Sequence, residues 1–101
     1  KTGCIKHSRL TGKEVKKVAV CGGSGSSLLG NAIASGADVF VSSDFKYHQF
    51  FEAEDKILIA DIGHYESEQF TKDLFYDLLI KKFPNFALRL SKVSTNPIHY
   101  L

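Results

Sequence analysis

The chain has 101 residues, of which 44% are hydrophobic and 24% charged, with 8 Gly and 2 Pro. This length and composition are typical of one soluble globular domain, spanning 1–101, and exclude a second domain. The formal net charge is only +2, which argues against a nucleic-acid-binding protein, because such proteins concentrate basic residues in a patch or stripe. The sequence contains no Met, so we expect a fragment of a longer chain.

Neither a membrane span nor an export signal is predicted. No run approaches the roughly 20 apolar residues that a transmembrane helix needs, and the first residues lack the pattern of a signal peptide. The two cysteines, Cys4 and Cys21, do not form a CxxC pair. Cys21 ends an apolar run and is predicted to be a buried, reduced thiol, as is common in intracellular proteins. We therefore expect a cytoplasmic protein without a membrane partner.

The N-terminal part of the chain predicts two strands and a helix. A short strand is expected at 4–10, and a longer apolar strand, buried on both faces at its end, at 15–21. A helix follows, with Ser26 or Ser27 as its N-cap and Gly36 as the glycine that closes it.

The middle of the chain predicts a strand, a helix and another strand. Apolar and β-branched residues predict a strand at 37–42, after which Asp44 caps a helix that ends near Glu54. The apolar run at 56–62 predicts a third buried strand. This alternation of strands and helices is typical of an α/β fold.

The C-terminal third predicts a long helix and a last strand. One apolar stripe indicates a single helix at 64–83, with Lys72 on its outer face and Pro84 as its stop. Alternating apolar residues predict a half-exposed strand at 86–93. The tail 94–101 contains enough apolar residues to pack against the rest of the domain.

Polar residues follow the three longer strands, in loops at 22–27, 42–48 and 61–68. The carboxyl ends of neighbouring parallel strands share one edge, where ligands commonly bind. The first loop could hold an anion on its backbone N–H groups, or could form a close strand-to-helix turn without a ligand. The residues concerned are Gly23, Ser24, Gly25 and Ser26.

Asp44 and His48 lie four residues apart, one turn of the predicted helix. A carboxylate and an imidazole at this spacing can share a metal ion, a water molecule or a proton. Alternatively, Asp44 only caps the helix and His48 lies at the surface. His7 and His99 have no acidic residue at a useful spacing and are predicted to be surface or packing residues.

His64 and Glu68 occupy positions i and i+4 at the start of the last predicted helix. Their side chains then point the same way, as two ligands of one metal ion require. A four-coordinate site would need further ligands, from Asp44 and His48 or from a segment outside this chain. A plain ion pair at the helix start is the alternative interpretation.

Three motifs resemble those of one family in their order and separation: GGSGSS at 22–27, SSDFKYH at 42–48 and GHYESE at 63–68. From Leu10 to its end, the chain resembles the C-terminal half of the NIF-three-like family, the NGG-interacting-factor-three-like dinuclear metal-centre proteins. The resemblance implies a three-layer α/β/α architecture with a mixed, largely parallel sheet, as one of two similar halves.

The resemblance also implies a site for two divalent metal ions, which could be zinc, iron, manganese or nickel. His64 and Glu68 match the C-terminal ligands, with Glu68 bridging the two ions. The other ligands would come from the N-terminal half, so this chain would hold an incomplete site. Asp44 and His48 match polar residues beside the metals and are candidates for catalytic acid–base or outer-shell roles.

Two functional hypotheses follow from the resemblance. Family members are described as a type-two form of GTP cyclohydrolase I or as metal-dependent hydrolases, which favours a metallohydrolase with a small-molecule substrate. The alternative is a non-catalytic metal carrier or protein-interaction scaffold. Both hypotheses imply the N-terminal half as a partner and a hexamer of the full-length protein, and neither expects nucleic acid or a membrane.

Overall fold

The computed structural model describes residues 3–101 and shows one mixed sheet with the strand order β1-β4-β3-β2. The strands β2, β3 and β4 are parallel neighbours, whereas β1 pairs with β4 in the antiparallel direction. The predicted α/β fold with a mixed, largely parallel sheet is confirmed. The strands are β1 (Lys6–His7), β2 (Val18–Ser24), β3 (Val39–Ser43) and β4 (Leu58–Asp61).

The helices are short, except for the last one. None of those in residues 3–101 combines the length and hydropathy that a membrane crossing requires. The α-helices are α1 (Leu29–Ala34), α2 (His64–Glu68) and α3 (Thr71–Lys82), and two 3₁₀ helices lie at Ser26–Leu28 and Tyr47–Ala53.

The first helix begins with one 3₁₀ turn and ends at a glycine. Gly36 adopts a left-handed φ of +75°, which confirms the predicted closing glycine. The predicted serine cap is wrong, because Gly25 occupies the N-cap of the 3₁₀ turn and no side chain caps it. Ser26 already belongs to that turn, so its hydroxyl cannot act from the position before the helix.

β2 is an edge strand, and its predicted burial on both faces is wrong. Val18 and Val20 are 50% and 74% exposed, because within residues 3–101 the strand pairs only with β3. Cys21 is half-buried and not fully buried. The β2–β3 ladder is irregular between Val20 and Ser24, so that four steps along β2 match two along β3.

The core lies under the parallel strands and reaches the edge where they end. Ile57, just before β4, and Ile59, within β4, are completely buried. Phe45 follows β3, is 4% exposed and packs edge-on against Phe40, with 5.9 Å between the ring centroids. Burial of Phe45 anchors the loop after β3 and thereby fixes the neighbouring Asp44.

The predicted helix beginning at Asp44 is wrong. Asp44 has a φ of +61°, and the helix that follows is a 3₁₀ helix starting only at Tyr47. A left-handed residue cannot belong to a right-handed helix. The side chain of Asp44 is therefore directed by the loop and does not cap a helix.

The single helix predicted at 64–83 is interrupted between α2 and α3. Side chains compete with backbone N–H groups for the carbonyl groups of α2, because Ser67 Oγ donates to His64 O and Gln69 Nε2 donates to Glu66 O. Such local bonds disfavour continuation of a helix. The strand predicted at 86–93 is also absent from the described residues, where this segment is irregular; alternation of apolar residues cannot form a strand without a partner strand.

Candidate functional site

The three predicted loops meet at one edge of the sheet. The Ser24 hydroxyl donates a hydrogen bond to the Asp44 carboxylate, and Asp44 Oδ2 lies 2.5 Å from His64 Nδ1. His64 Nε2 in turn lies 3.2 Å from Glu68 Oε2. Residues at the end of β2 and after β3 and β4 thus form one continuous polar chain.

Asp44 and His64 each favour the charged form of the other. The hydrogen bond to Asp44 is the main cause that raises the pKa of His64, and the negative charge of Glu68 acts in the same direction. The pKa of Asp44 is lowered first by the Ser24 hydrogen bond and then by His64. Both side chains are nearly half exposed, so solvent weakens this coupling.

Gly23 gives the acidic and imidazole groups room to approach the loop backbone. Its φ of +68° favours glycine, and an added Cβ would lie 2.5 Å from Glu68 Oε1 and 3.5 Å from His64 Cε1. The Gly23 N–H donates to Ser67 Oγ at 2.8 Å. This bond fastens α2 to the glycine-serine loop.

The remainder of the glycine-serine loop packs against β3. Ser42 Oγ and Ser43 Oγ both donate to Gly23 O, at 3.1 and 2.5 Å. A Cβ at Gly25 would collide with the Ser42 side chain, and Ser26 Oγ accepts a hydrogen bond from a glutamine. These contacts are those of a close strand-to-helix turn, and the substrate or anion role of Gly23, Ser24, Gly25 and Ser26 stays a prediction.

Asp61 is a structural determinant of the site that sequence reasoning missed. It is 2% exposed, and its Oδ2 accepts the Phe45 N–H at 3.1 Å and lies 3.0 Å from Lys6 Nζ. Its Oδ1 accepts the Gly63 N–H at 3.1 Å. Asp61 therefore ties the loop carrying Asp44 to the turn before α2. In the sequence, the one signal for this role is an acidic residue at the end of an apolar strand.

His48 does not share a helix face with Asp44, contrary to the sequence prediction. The 3₁₀ helix begins after Asp44, so the expected i, i+4 geometry does not form. His48 is exposed, and within residues 3–101 no hydrogen bond or ion pair joins it to Asp44. Its catalytic role stays a prediction. His7 and His99 lie at the surface, as predicted.

The residues present fit part of a metal site. Within residues 3–101, no three His, Cys, Asp or Glu side chains are grouped so as to hold a metal ion. His64 nevertheless has one ring nitrogen held by Asp44 and the other facing the Glu68 carboxylate. In metal sites, the ring nitrogen of a ligating His that does not face the metal usually donates to a carboxylate. His64 and Glu68 thus offer two groups of metal-ligand type with a supporting carboxylate, and their role as metal ligands stays a prediction.

The family model for Duf34/NIF3, NGG1p interacting factor 3, matches residues 1–97. The chain belongs to the Duf34/NIF3 family. A protein from Campylobacter jejuni named GTP cyclohydrolase 1 type 2 homolog is 41% identical over 90 residues, covering 87% of this chain and 34% of the relative.

Solved structures of the Duf34/NIF3 fold resemble the chain over nearly its full length. The crystal structure of Staphylococcus aureus protein SA1388 matches with a TM-score of 0.81 and 27% identity, covering 99% of this chain and 34% of that chain. A Bacillus cereus protein related to NIF3 matches with a TM-score of 0.77, also at 27% identity, covering 99% and 29%. The chain spans about a third of the length of these relatives.

Proposed function

We propose that this Duf34/NIF3 chain supplies the C-terminal ligands, His64 and Glu68, of a dinuclear metal site in a metal-dependent hydrolase. The observation that carries the proposal is the Asp44–His64–Glu68 arrangement at the ends of the parallel strands. The name GTP cyclohydrolase 1 type 2 homolog, borne by relatives, supports a hydrolase acting on a small-molecule substrate. Bound divalent ions would supply Lewis acidity that polarises the bond under attack and acidifies water.

In this proposal, Asp44 positions the imidazole of His64. Its carboxylate accepts hydrogen bonds from Ser24 Oγ and from the Nδ1–H of His64. This favours the tautomer with its proton on Nδ1, in which Nε2, facing Glu68 Oε2, could bind a metal ion. Because Asp44 already accepts two hydrogen bonds, the geometry favours this orienting role over proton transfer. Proton transfer by Asp44 or His48 remains the alternative.

The other ligands would come from a longer polypeptide, consistent with relatives about three times as long as this chain. A hexamer of that full-length protein in the cytoplasm belongs to the same proposal. Zinc, iron, manganese and nickel all suit an imidazole and a carboxylate.

A metal carrier or interaction scaffold is the second candidate function. His64 and Glu68 are 48% and 50% exposed, and such open ligands favour exchange of a bound ion. A carrier would transfer its metal to an acceptor chelator quickly, whereas a hydrolase would keep the metal through turnover.

Metal stoichiometry tests the proposal. Elemental analysis of protein purified without chelator should find about two ions in the complete polypeptide and very little in the 101-residue chain. The substitutions His64→Ala and Glu68→Gln should each reduce the metal content of the complete polypeptide, whereas His99→Ala, at an exposed histidine, should leave it unchanged. Equal metal content in all three variants would contradict the assignment of ligands.

A carrier and a hydrolase are separated by two further measurements on the loaded complete polypeptide. Hydrolysis of a nucleotide or a cyclic amide above the rate given by the free metal supports the hydrolase. No hydrolysis, together with rapid transfer of metal to a chelator, supports the carrier.

A further inference from the structure

A cavity of about 530 Å³ lies beside the candidate metal ligands. His64 and Glu68 form part of its lining, together with Val93 and, from the C-terminal tail, Pro97 and Ile98. Ligand pockets of small molecules have volumes of roughly 300–1,000 Å³. The cavity is therefore large enough for a small organic molecule that reaches the metal ligands.

Lys72, at the start of α3, belongs to the lining of this cavity. The apolar stripe of the sequence predicts Lys72 on the outer face of one long helix, but α3 begins anew at Thr71 and Lys72 lines the cavity. Lys72 Nζ donates to Ser91 O at 2.9 Å, which holds the tail segment beside α3. The segment after α3 folds back over this face, so that Lys72 shares the cavity with His64.

Lys72 retains the capacity to bind an anion. Its ammonium group has three donors, of which the bond to Ser91 uses one. Among the residues that the structure describes, Lys72 forms no ion pair with a carboxylate. The side-chain amide of Asn96 accepts from the Ile98 N–H through Oδ1, so its amide donors stay available in the same lining.

We propose that this cavity is the substrate subsite and that Lys72 binds the anionic group of the substrate. The occupant is a small anionic molecule with an apolar or ring portion, which packs against Pro97 and Ile98 while its reacting bond faces His64 and Glu68. The substrate role rests on the proposed function. Binding of the anion itself does not require the metal ions.

Binding to the metal-free chain tests the subsite. The probe is phenyl phosphate, titrated into ¹⁵N-labelled protein and followed by amide chemical shifts. We expect saturable shifts at Glu68, Thr95 and Asn96. Inorganic phosphate lacks the ring and benzyl alcohol lacks the charge, so both should bind more weakly. Benzoate distinguishes a carboxylate site from a phosphate site, since it retains the ring and a negative charge.

Lys72→Gln is the decisive variant, because glutamine removes the charge but keeps a donor for Ser91. Loss of a charge-assisted hydrogen bond at an exposed site should weaken phenyl phosphate binding at least about fivefold. Lys72→Arg should restore binding, and Lys81→Gln, a matched exposed lysine later in α3, should have no effect. The amide spectra of all three variants report whether the fold is retained.

Three results would overturn the subsite: equal binding by Lys72→Gln and Lys81→Gln, shifts confined to Lys16 and Lys17, or the absence of saturable binding. The metal proposal is tested separately by His64→Ala. If that variant keeps its metal content, the ligand assignment fails, whereas retained phenyl phosphate binding in the metal-free variant leaves the subsite standing.

Discussion

The sheet and the C-terminal helix differ in how they use apolar residues. Ile57 and Ile59 are completely buried beside and within β4, whereas every residue of α3 is at least partly exposed. Phe75, on the apolar stripe of α3, is 59% exposed. Apolar residues therefore build a core in the sheet and an open face on α3.

Because of this difference, the sheet determines the stability of the fold, whereas the region beside it determines the position of His64 and Glu68. The sheet holds the buried apolar area that drives folding. α2 is held at the edge of the sheet by the bond that Gly23 N–H donates to Ser67 and by the bond that Gly63 N–H, just before α2, donates to Asp61. The candidate site lies at the junction between the two regions. Substitutions in the sheet should therefore unfold the chain, whereas substitutions at the junction should move His64 and Glu68.

The largest effect is expected in the sheet. Ile59→Ala should lower the free energy of unfolding by about 2–5 kcal/mol, because it leaves a cavity in a packed core. Leu78→Ala, at a residue of α3 that is 54% exposed, should cost about 1 kcal/mol or less. Urea denaturation measures both, and equal losses would remove the distinction between the two regions.

Asp61→Ala should give the next largest effect, at the junction. The substitution leaves the buried N–H of Phe45 without its acceptor, which costs about 1–3 kcal/mol, whereas water can partly replace the acceptor of the half-buried Gly63 N–H. Glu14→Ala serves as the control, because its ion pair with Lys16 is highly exposed and such pairs contribute about 0–1 kcal/mol. If thermal or urea denaturation finds similar losses in both variants, Asp61 does not have the structural role described.

Two glycine substitutions distinguish the cost of backbone strain from the effect of a side chain that meets Glu68. Gly23→Ala and Gly36→Ala both place alanine in the left-handed region and should each cost about 1–2 kcal/mol. Only the Cβ at Gly23 meets the Glu68 carboxylate, whereas that at Gly36 meets open space. Metal affinity of the complete polypeptide should therefore fall in Gly23→Ala alone, and a similar fall in Gly36→Ala would refute the contact's importance.

The smallest effect is the pH dependence of the Asp44–His64 pair. The carboxylate raises the pKa of His64 above its ordinary 6.5, so the stabilisation is fully present below pH 6.5 and is lost as pH rises through the folded-state pKa. NMR titration of the His64 ring measures that pKa. In Asp44→Asn it should move back toward 6.5, and an unchanged midpoint would show that Asp44 is not its cause.

Local sequence patterns were sufficient to predict the three parallel strands and the edge where they end, but not the absence of a strand at 86–93. Apolar runs stop at polar residues near Ser24, Ser43 and Asp61, and these signals depend only on neighbouring residues. The i, i+4 spacing predicted that the side chains of His64 and Glu68 point the same way. The parallel strand order predicted that they lie at the same edge as the other two loops. The left-handed φ of Asp44 had no such local signal, since burial of Phe45 and long-range bonding to Asp61 impose it.

Periodicity could not reveal where the last helix breaks. The apolar stripe continues across Gln69 and Phe70, but side-chain hydrogen bonds to the carbonyls of His64 and Glu66 compete with the helix. The tail 94–101 was expected to pack, and Pro97 and Ile98 do share a cavity lining with α2. Lys72 bonds to Ser91 O shortly before the tail, and this contact was not predictable, because residues 19 apart in an irregular segment give no periodic signal.

The irregular stretch of β2 between Val20 and Ser24 has a consequence for how the site can change. Ser24 reaches Asp44 across this stretch, whereas β3 and β4 keep an uninterrupted register from Val39 to Ser42. Inserting or deleting one residue there would shift Ser24 and the loop after it while leaving the β3–β4 pairing intact. A change in the length of this stretch of β2 could therefore alter the distance between the glycine-serine loop and the imidazole of His64 without altering β3 or β4.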